Sequence, residues 1–529
     1  MAECWQTSLL WRVLQAIGGF FAAMGRDCRI AHYWNCSGTK AWFVRRLSAP
    51  DAVTQSARCT ARLRKTNERL ARRHGFMDCF RGSVLGRIYR AIFTCGRGSR
   101  IFGWLFKRGM TAFILFAVGI YVFIHYVMRN YVTVSAISST WDEALMLFAL
   151  LWVLRCRLDR KTPLAVCANP LDVPVLLFLC TGFFLMNVVA PYFSIQIAGY
   201  RATAEYILWF FLITRLLRDE HDFLQLYIVL AVSATLIALH GIYQYIVRAP
   251  MPAAWVAQAE IAVRTRVYSI FGSPNIMGDF MVMFAPMAAA LAYYAKDWRL
   301  KALAWLCTIL MCIACLFTMS RGAWVAMAVA VLLFILLVDR RLLWLALAGG
   351  AVLSFVPFVR TRIGFLFTND FAAANANGGR AGRWAKGLYH LNKSNPLLGF
   401  GLGMFGGAVA MQNKVLDGVI YFYMDNYYLK ILVEMGYLGL ASFLVMLLGF
   451  VTTGFRALYR TAQRGRAGLD RSYPLCAGIF CGLAGVLVHC FFENIFEEPY
   501  MMAYFWALAG MLVWMGFLYR PSAVKKEEI

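Results

Sequence analysis

ALAWLCTILMCIACLFTMSRGAWVAMAVAVLLFILLVDRRLLWLALAGGAVLSFVPF, residues 302–358, decides the fold. It contains three apolar runs, 302–319, 322–338 and 342–358, parted only by Ser320-Arg321 and by Asp339-Arg340-Arg341. Each run has the length a helix needs to cross about 30 Å of hydrocarbon. Further runs lie at 109–128, 139–155, 172–190, 202–217, 223–246 and 275–295 before it, and at 433–455, 475–492 and 500–519 after it. The pattern predicts an all-α polytopic membrane protein with about twelve transmembrane helices. With 61% hydrophobic residues over 529 positions, no single soluble core could hide so much apolar surface.

Charge gives the expected sidedness. Residues 1–108 carry 20 Lys and Arg against 5 Asp and Glu, which is over half of the net +26 and marks a basic cytoplasmic arm. Twelve spans then return the tail 520–529, with Lys525 and Lys526, to the cytoplasm. The short basic loops around Arg155/Lys161, Arg215/Arg218, Lys296/Lys301, Arg340/Arg341 and Arg456/Arg471 agree, all falling inside. The resulting layout is spans one to nine over 109–358, a large extracytoplasmic loop over 359–425 and spans ten to twelve over 426–519. Within the arm, SLLWRVLQAI at 8–17 resembles SVLGRIYRAI at 83–92, and both read as amphipathic helices lying on anionic lipid rather than as a nucleic-acid surface. No stretch reads as a cleavable signal peptide.

The exceptions to that charge pattern are informative. Arg264, Arg266, Arg321 and the loop residues Arg360, Arg362, Arg380, Arg383 and Lys386 all fall on the outer side, and no acidic residue lies between Asp370 and Asp417. Guanidinium groups in a low-dielectric cleft capture phosphate oxygens in a bidentate manner and stay charged there. Outward arginines with a nearby carboxylate therefore point to a lipid-phosphate substrate whose leaving group needs charge stabilisation. Structural readings stand beside this one. Arg321 could snorkel from a helix end, and Asn275 after Pro274, or Asp425-Asn426, could cap helices.

Four motifs in order carry a resemblance: Arg266 with FGSPN at 271–275, SRGAW at 320–324, Arg383-Trp384 with NPLLGFGLG at 395–403, and DNYYL at 425–429 with EMGYLG at 434–439. Together they resemble the O-antigen ligase and O-antigen polymerase superfamily over about residues 110–519. The resemblance implies a glycosyltransferase of cell-surface polysaccharide biosynthesis in the bacterial inner membrane. It would take a glycan from undecaprenyl diphosphate and need no metal, nucleotide sugar or other cofactor. By position, Arg266 and Arg321 would hold the diphosphate, with Arg383 a third ligand and Arg264, Asn275 and Asn426 further contacts to donor or glycan. The ligases place a histidine immediately before the Asn of the fourth motif, where this chain has Asp425. A carboxylate there could accept the proton of an attacking hydroxyl or orient the acceptor, with His390 then serving as base. The acceptor stays open between lipid A core, another glycan and a protein hydroxyl.

Other chemistries fit less well. Cys312-x-x-Cys315 lies inside an apolar run and reads as packed thiols, and Gly399-x-Gly401 lacks the strand–turn–helix setting of a dinucleotide loop. Asp142-Glu143 could suggest metal ligands, but Thr140 to Glu143 reads as a capping box, and Asp219 to Asp222 reads as a helix start. A transporter or flippase would bury ionisable residues near mid-membrane and show two similar halves. The concentration of charge at one face favours surface chemistry.

Overall fold

The computed structural model describes residues 108–158, 169–189, 192–250, 265–369, 379–415 and 421–519, with the isolated residues 87, 94, 373 and 375. Arg264, the tail and nearly all of the basic arm, including its two amphipathic stretches apart from Arg87, lie outside the described residues. The chain divides into two compact units, Met1–Arg87 with Arg155–Val166 and Ile88–Leu154 with Cys167–Ile529, and apart from the last turn of the helix Ser135–Leu158 the second holds the helices that follow.

Among the described residues the fold is all helical. It opens with α1 (Met110–Gly119) and α2 (Tyr121–Tyr131), bent by 69° at Ile120, then α3 (Ser135–Leu158) and α4 (Asp172–Val188). Next come α5 (Phe193–Ala204) and α6 (Leu208–Leu216), joined by a 3-10 turn, and the long α7 (Glu220–Ile246). The centre of the sequence forms α8 (Pro274–Tyr294), α9 (Trp298–Phe317), α10 (Arg321–Leu337), and the pair α11 (Leu342–Ser354) and α12 (Pro357–Gly364), bent by 83°. The loop region contributes α13 (Arg380–Lys393) and α14 (Ala408–Asn413). The chain ends with α15 (Tyr427–Arg466), α16 (Tyr473–His489) and α17 (Pro499–Val513).

Among the described residues, six helices are long and apolar enough to cross a membrane, or up to eight if each bent pair counts as one span. Of the expected twelve, those at 172–190, 322–338 and 475–492 appear as apolar helices of 17 residues, about 26 Å long and short of a full hydrocarbon thickness. The one at 202–217 is not a single helix, because the turn Glu205–Ile207 breaks it. Local expectations shift too. α3 begins at Ser135, so Thr140 sits inside it with Oγ1 donating to the Ala136 carbonyl (2.6 Å), not in a capping box. Asp219 does cap α7 through the Asp222 amide (2.8 Å). At α8 the N-cap is Ser273 with Pro274 at the first position, which frees the Asn275 side chain for other work.

α8 and α17 form the core. In α8, and in α17 with its continuation to Leu518, 89% of an 18-residue stretch is buried inside the protein, against 22% for α9. Small residues make that possible: a methyl on Gly478 of α16 would sit 2.8 Å from the Pro286 carbonyl, and one on Gly482 would collide with the Met283 carbonyl. This Gly-x-x-x-Gly face lets the α16 backbone lie directly on α8. The two helices are also joined by His489 Nδ1 and Asp279 Oδ1 at 2.9 Å, both side chains fully buried. At one end of the bundle, Tyr294 and Tyr519 both donate to Glu220 (2.9 and 3.1 Å) and Tyr473 donates to the Leu337 carbonyl (2.6 Å). The other end gathers the starts of α8, α10, α13 and α15.

Candidate active site

The floor of the site is the turn between α9 and α10. Met319 takes a left-handed φ of 53°, which turns the Thr318 and Met319 carbonyls outward past the end of α9. Two guanidiniums cover them: Arg266 Nε donates to the Thr318 carbonyl (3.0 Å) and Arg362 Nη2 to that of Met319 (2.9 Å). Arg266 is delivered by the extended segment before α8, whose Val267 amide is tied to the Phe317 carbonyl (3.2 Å). Arg321 opens α10, with its guanidinium 5.8 Å from the centre of the Phe365 ring. The glycine after it is required by packing, since a methyl on Gly322 would sit 2.9 Å from the His489 ring and 3.0 Å from Phe492 Cβ.

The wall is α13. Arg380 and Arg383, one turn apart, share a face of its first turns. Arg383 Nη2 pairs with Asp425 Oδ2 at 2.6 Å while Nη1 donates to the Tyr423 carbonyl at 2.9 Å. Trp384 Nε1 donates to the Met424 carbonyl (2.9 Å), so three consecutive residues, 423 to 425, are held by this one helix. Arg380 stands 3.9 Å from Asp425 Oδ2 and 4.0 Å from Glu493 Oε2. Asp425 itself is left-handed (φ 46°), a conformation that aspartate tolerates better than most residues.

Asn275 joins floor to wall. Its Oδ1 accepts from Arg266 Nη2 (3.2 Å), and its Nδ2 donates to Glu493 Oε2 in a short contact. An unbroken chain therefore runs Arg266, Asn275, Glu493, Arg380, Asp425, Arg383. Glu493 is held above the usual glutamate pKa, chiefly by burial and next by the charge of Asp425, with Arg380 and His489 pulling the other way. Among the described residues, Arg321 and Arg362 bring the guanidiniums gathered at this end to five, beside the carboxylates Asp425 and Glu493. An anion is what such a recess attracts.

Behind the wall lies a backbone joint. α15 breaks at Gly436 (φ 64°), which leaves amides and carbonyls of the broken turn unpaired within the helix. The segment after Asn395 pairs with them. Phe400 and Gly401 amides donate to the Val433 and Glu434 carbonyls (3.0 and 2.8 Å), and Tyr437 and Leu438 amides donate to the Pro396 and Leu397 carbonyls (2.9 and 3.2 Å). Gly399 (φ 77°) sits in the crossing, where a methyl would stand 2.5 Å from the Glu434 carbonyl oxygen. Below the joint, Lys430 bridges Glu434 (2.8 Å) and Glu497 (3.4 Å), and Glu497, raised by burial above the usual glutamate range, also accepts from the Ala408 amide.

The structure brings Arg266, Asn275, Arg383 and Asp425 into one network and sets Arg321 at the start of the neighbouring helix. Asn426 is occupied as the N-cap of α15, accepting from the Leu429 amide at 3.0 Å. His390 lies ten residues, about 15 Å, along α13 from Arg380, its ring near those of Tyr389 and Phe405. Arg264 lies outside the described residues. Two members of the network come from the structure rather than from the motifs: Arg380, one basic residue among many in the loop, and Glu493, in the short acidic stretch FFENIFEE at 491–498.

Residues 306–444 match the family model of the O-antigen ligases. That match supports the resemblance to the O-antigen ligase superfamily over this central part of the chain. The matched stretch of the O-antigen ligase domain contains Arg321, Arg362, Arg380, Arg383, Asp425 and both halves of the glycine joint. Arg266, Asn275 and Glu493 lie outside it and are tied to it by the contacts described above. No curated protein matches the chain.

Proposed function

We propose that this protein transfers a glycan from undecaprenyl diphosphate to an acceptor hydroxyl at the outer face of the bacterial inner membrane. The observation that carries the reading is the charged chain from Arg266 to Arg383 at one end of an apolar bundle. Arg266 and Arg321, with Arg383 across the recess, neutralise the diphosphate as it leaves. Guanidiniums already fixed on carbonyls and carboxylates do so without reorganising in the transition state. Asp425, gripped by Arg383, positions the acceptor. The sugar is displaced with inversion.

A transporter reading has one observation in its favour, the buried ionisable groups Asp279 with His489 and Lys430 with Glu434 and Glu497. Asp279 is the sixth residue of α8 and Glu434 the eighth of α15, so both lie within about 12 Å of the end that holds the site. That depth suits support of the recess better than a path through mid-membrane.

The test is turnover by purified protein of the host's own undecaprenyl diphosphate-linked oligosaccharide in the presence of EDTA. Wild type is expected to transfer, and Arg266→Ala and Arg321→Ala, verified as inserted, to lose at least 10²-fold, about what removal of one oxyanion-stabilising donor costs. Asp425→Asn, which loses the ion pair with Arg383, is expected to bind the acceptor more weakly. Full transfer by both arginine variants would sink the assignment, and carrier movement across liposomes without product would favour the transporter. The product names the acceptor: a chain-length ladder on the carrier, a modified lipid A core, or a glycosylated protein hydroxyl.

A further inference from the structure

We propose that Glu493, not Asp425, is the group that takes the proton from the acceptor hydroxyl. The inference rests on the transferase reading and assigns a role within that same recess. The two carboxylates of the network are held differently. Asp425 Oδ2 is clamped by Arg383 at 2.6 Å with Arg380 at 3.9 Å, so protonating it would dismantle an ion pair that also fixes α13 to residues 423–425. Glu493 has one guanidinium at the 4.0 Å limit of ion pairing and one amide donor, Asn275. Both contacts fall on Oε2. Among the described residues Oε1 accepts no hydrogen bond, and 19% of the side chain is open to solvent.

Position supports the same choice. Glu493 is the link between the Arg266–Asn275 side, where the diphosphate would sit, and the Arg380–Asp425 side, where the acceptor would be oriented. An attacking oxygen has to lie between its base and the anomeric carbon, and this link is the place where both sides meet. Burial then suits the group to the task. A carboxylate raised above its usual pKa is a stronger base, and the groups that set it are Asp425, Arg380, His489 and Asn275, with Arg266 behind Asn275.

The step balances without a further reactant. The acceptor O–H bond breaks and its proton passes to Glu493 Oε1. The oxygen lone pair forms the new bond to the anomeric carbon. The bond from that carbon to the diphosphate oxygen breaks, and its electron pair leaves on the diphosphate held by Arg266 and Arg321. Glu493 then returns its proton to water.

The experiment uses full-length protein in nanodiscs with the host's undecaprenyl diphosphate-linked oligosaccharide, its acceptor fraction, and carrier-only undecaprenyl diphosphate as a binding probe. Glu493→Gln is expected to bind the probe within about threefold of wild type while kcat falls roughly 10²–10⁴-fold, the usual contribution of general-base catalysis. Wild-type transfer should rise with pH through a value above the ordinary glutamate range, and that acid limb should vanish in Glu493→Gln. Asp425→Asn should keep the limb and raise KM for the acceptor instead. Formate should restore part of the activity of Glu493→Ala, which a purely structural role would not allow. A Glu493→Gln enzyme retaining more than a third of wild-type kcat, or an acid limb that survives in it and disappears in Asp425→Asn, would overturn the proposal. Wild type that neither transfers nor binds the probe would instead bring down the transferase reading, and this inference with it.

Discussion

Gly436→Ala should open the recess from behind. The residue sits at φ 64° and ψ −169°, a region essentially reserved for glycine, where an L side chain costs roughly 1–2 kcal/mol. Its new methyl would also collide with the Leu397 carbonyl oxygen, which itself accepts from the Leu438 amide. Moving the 396–401 segment away breaks or stretches at least two of the four backbone bonds of the joint, each worth about 1 kcal/mol net. The sum is about 3–4 kcal/mol, lost locally. Trypsin reads it directly, because Arg380, Arg383, Lys386 and Lys393 lie on the α13 segment that the joint anchors. Where opening is fast relative to cleavage, the rate follows the open population, so 3 kcal/mol corresponds to about 10²-fold faster cutting. Gly349→Ala is the control: a methyl there meets nothing within 4 Å, and cutting should stay at the wild-type rate. Cleavage of Gly436→Ala within about threefold of wild type would refute the account of the joint.

Arg383→Lys should fail despite keeping the charge. A lysine ammonium cannot reach both Asp425 Oδ2 and the Tyr423 carbonyl in the forked geometry of the guanidinium, so docking of α13 should weaken by roughly 1–3 kcal/mol, read as faster tryptic cutting and lower kcat. Lys430→Met should cost about 3–5 kcal/mol, because it leaves Glu434 and Glu497 buried without their cation. Adding Glu434→Gln to that variant should recover part of the loss in a thermal unfolding measurement, and no recovery would argue against the ion triad. Glu493→Gln should unfold at or above the wild-type temperature near neutral pH. A carboxylate whose folded-state pKa is raised weakens the fold as pH climbs from its unfolded value through its folded one, and the amide removes that penalty.

Hydropathy made much of the bundle legible, because apolar length is a property of one segment at a time. The runs at 275–295, 302–319 and 500–519 fall within a few residues of α8, α9 and the helical stretch ending at Leu518. It failed at 202–217, where Tyr206 donates to the buried Asp142 from a distant helix (2.6 Å) and a 3-10 turn replaces the continuous span. No single-segment reading sees that contact. The arginines were legible as charge in the wrong place, but their partners were not. Arg380 and Glu493 acquire meaning from each other across more than a hundred residues of chain. The glycines at 399, 401 and 403 resembled a nucleotide loop only in isolation. Gly399 and Gly401 meet the Gly436 break backbone to backbone, and Gly403 lies against Gly199 and Ile195 of α5, which leaves no side-chain code to read.

The two kinds of motif nevertheless answer one physical need. A guanidinium on a long side chain is useful only if its position is fixed, and in a bundle the groups able to fix it are helix ends, where backbone carbonyls and amides lack intrahelical partners. Arg266 and Arg362 are fixed on carbonyls just past the end of α9, the negative pole of that helix. Arg321 and Arg380 stand at the first positions of α10 and α13, and Asp425 immediately precedes the cap of α15. With α8, four helices begin at this recess, so their partial positive charges add to five guanidiniums. Bringing so many helix ends together crowds backbone against backbone. At Gly399 and Gly436 that crowding leaves no room for a side chain, as the His489 ring and Phe492 do at Gly322, and so the glycines follow from the arginines.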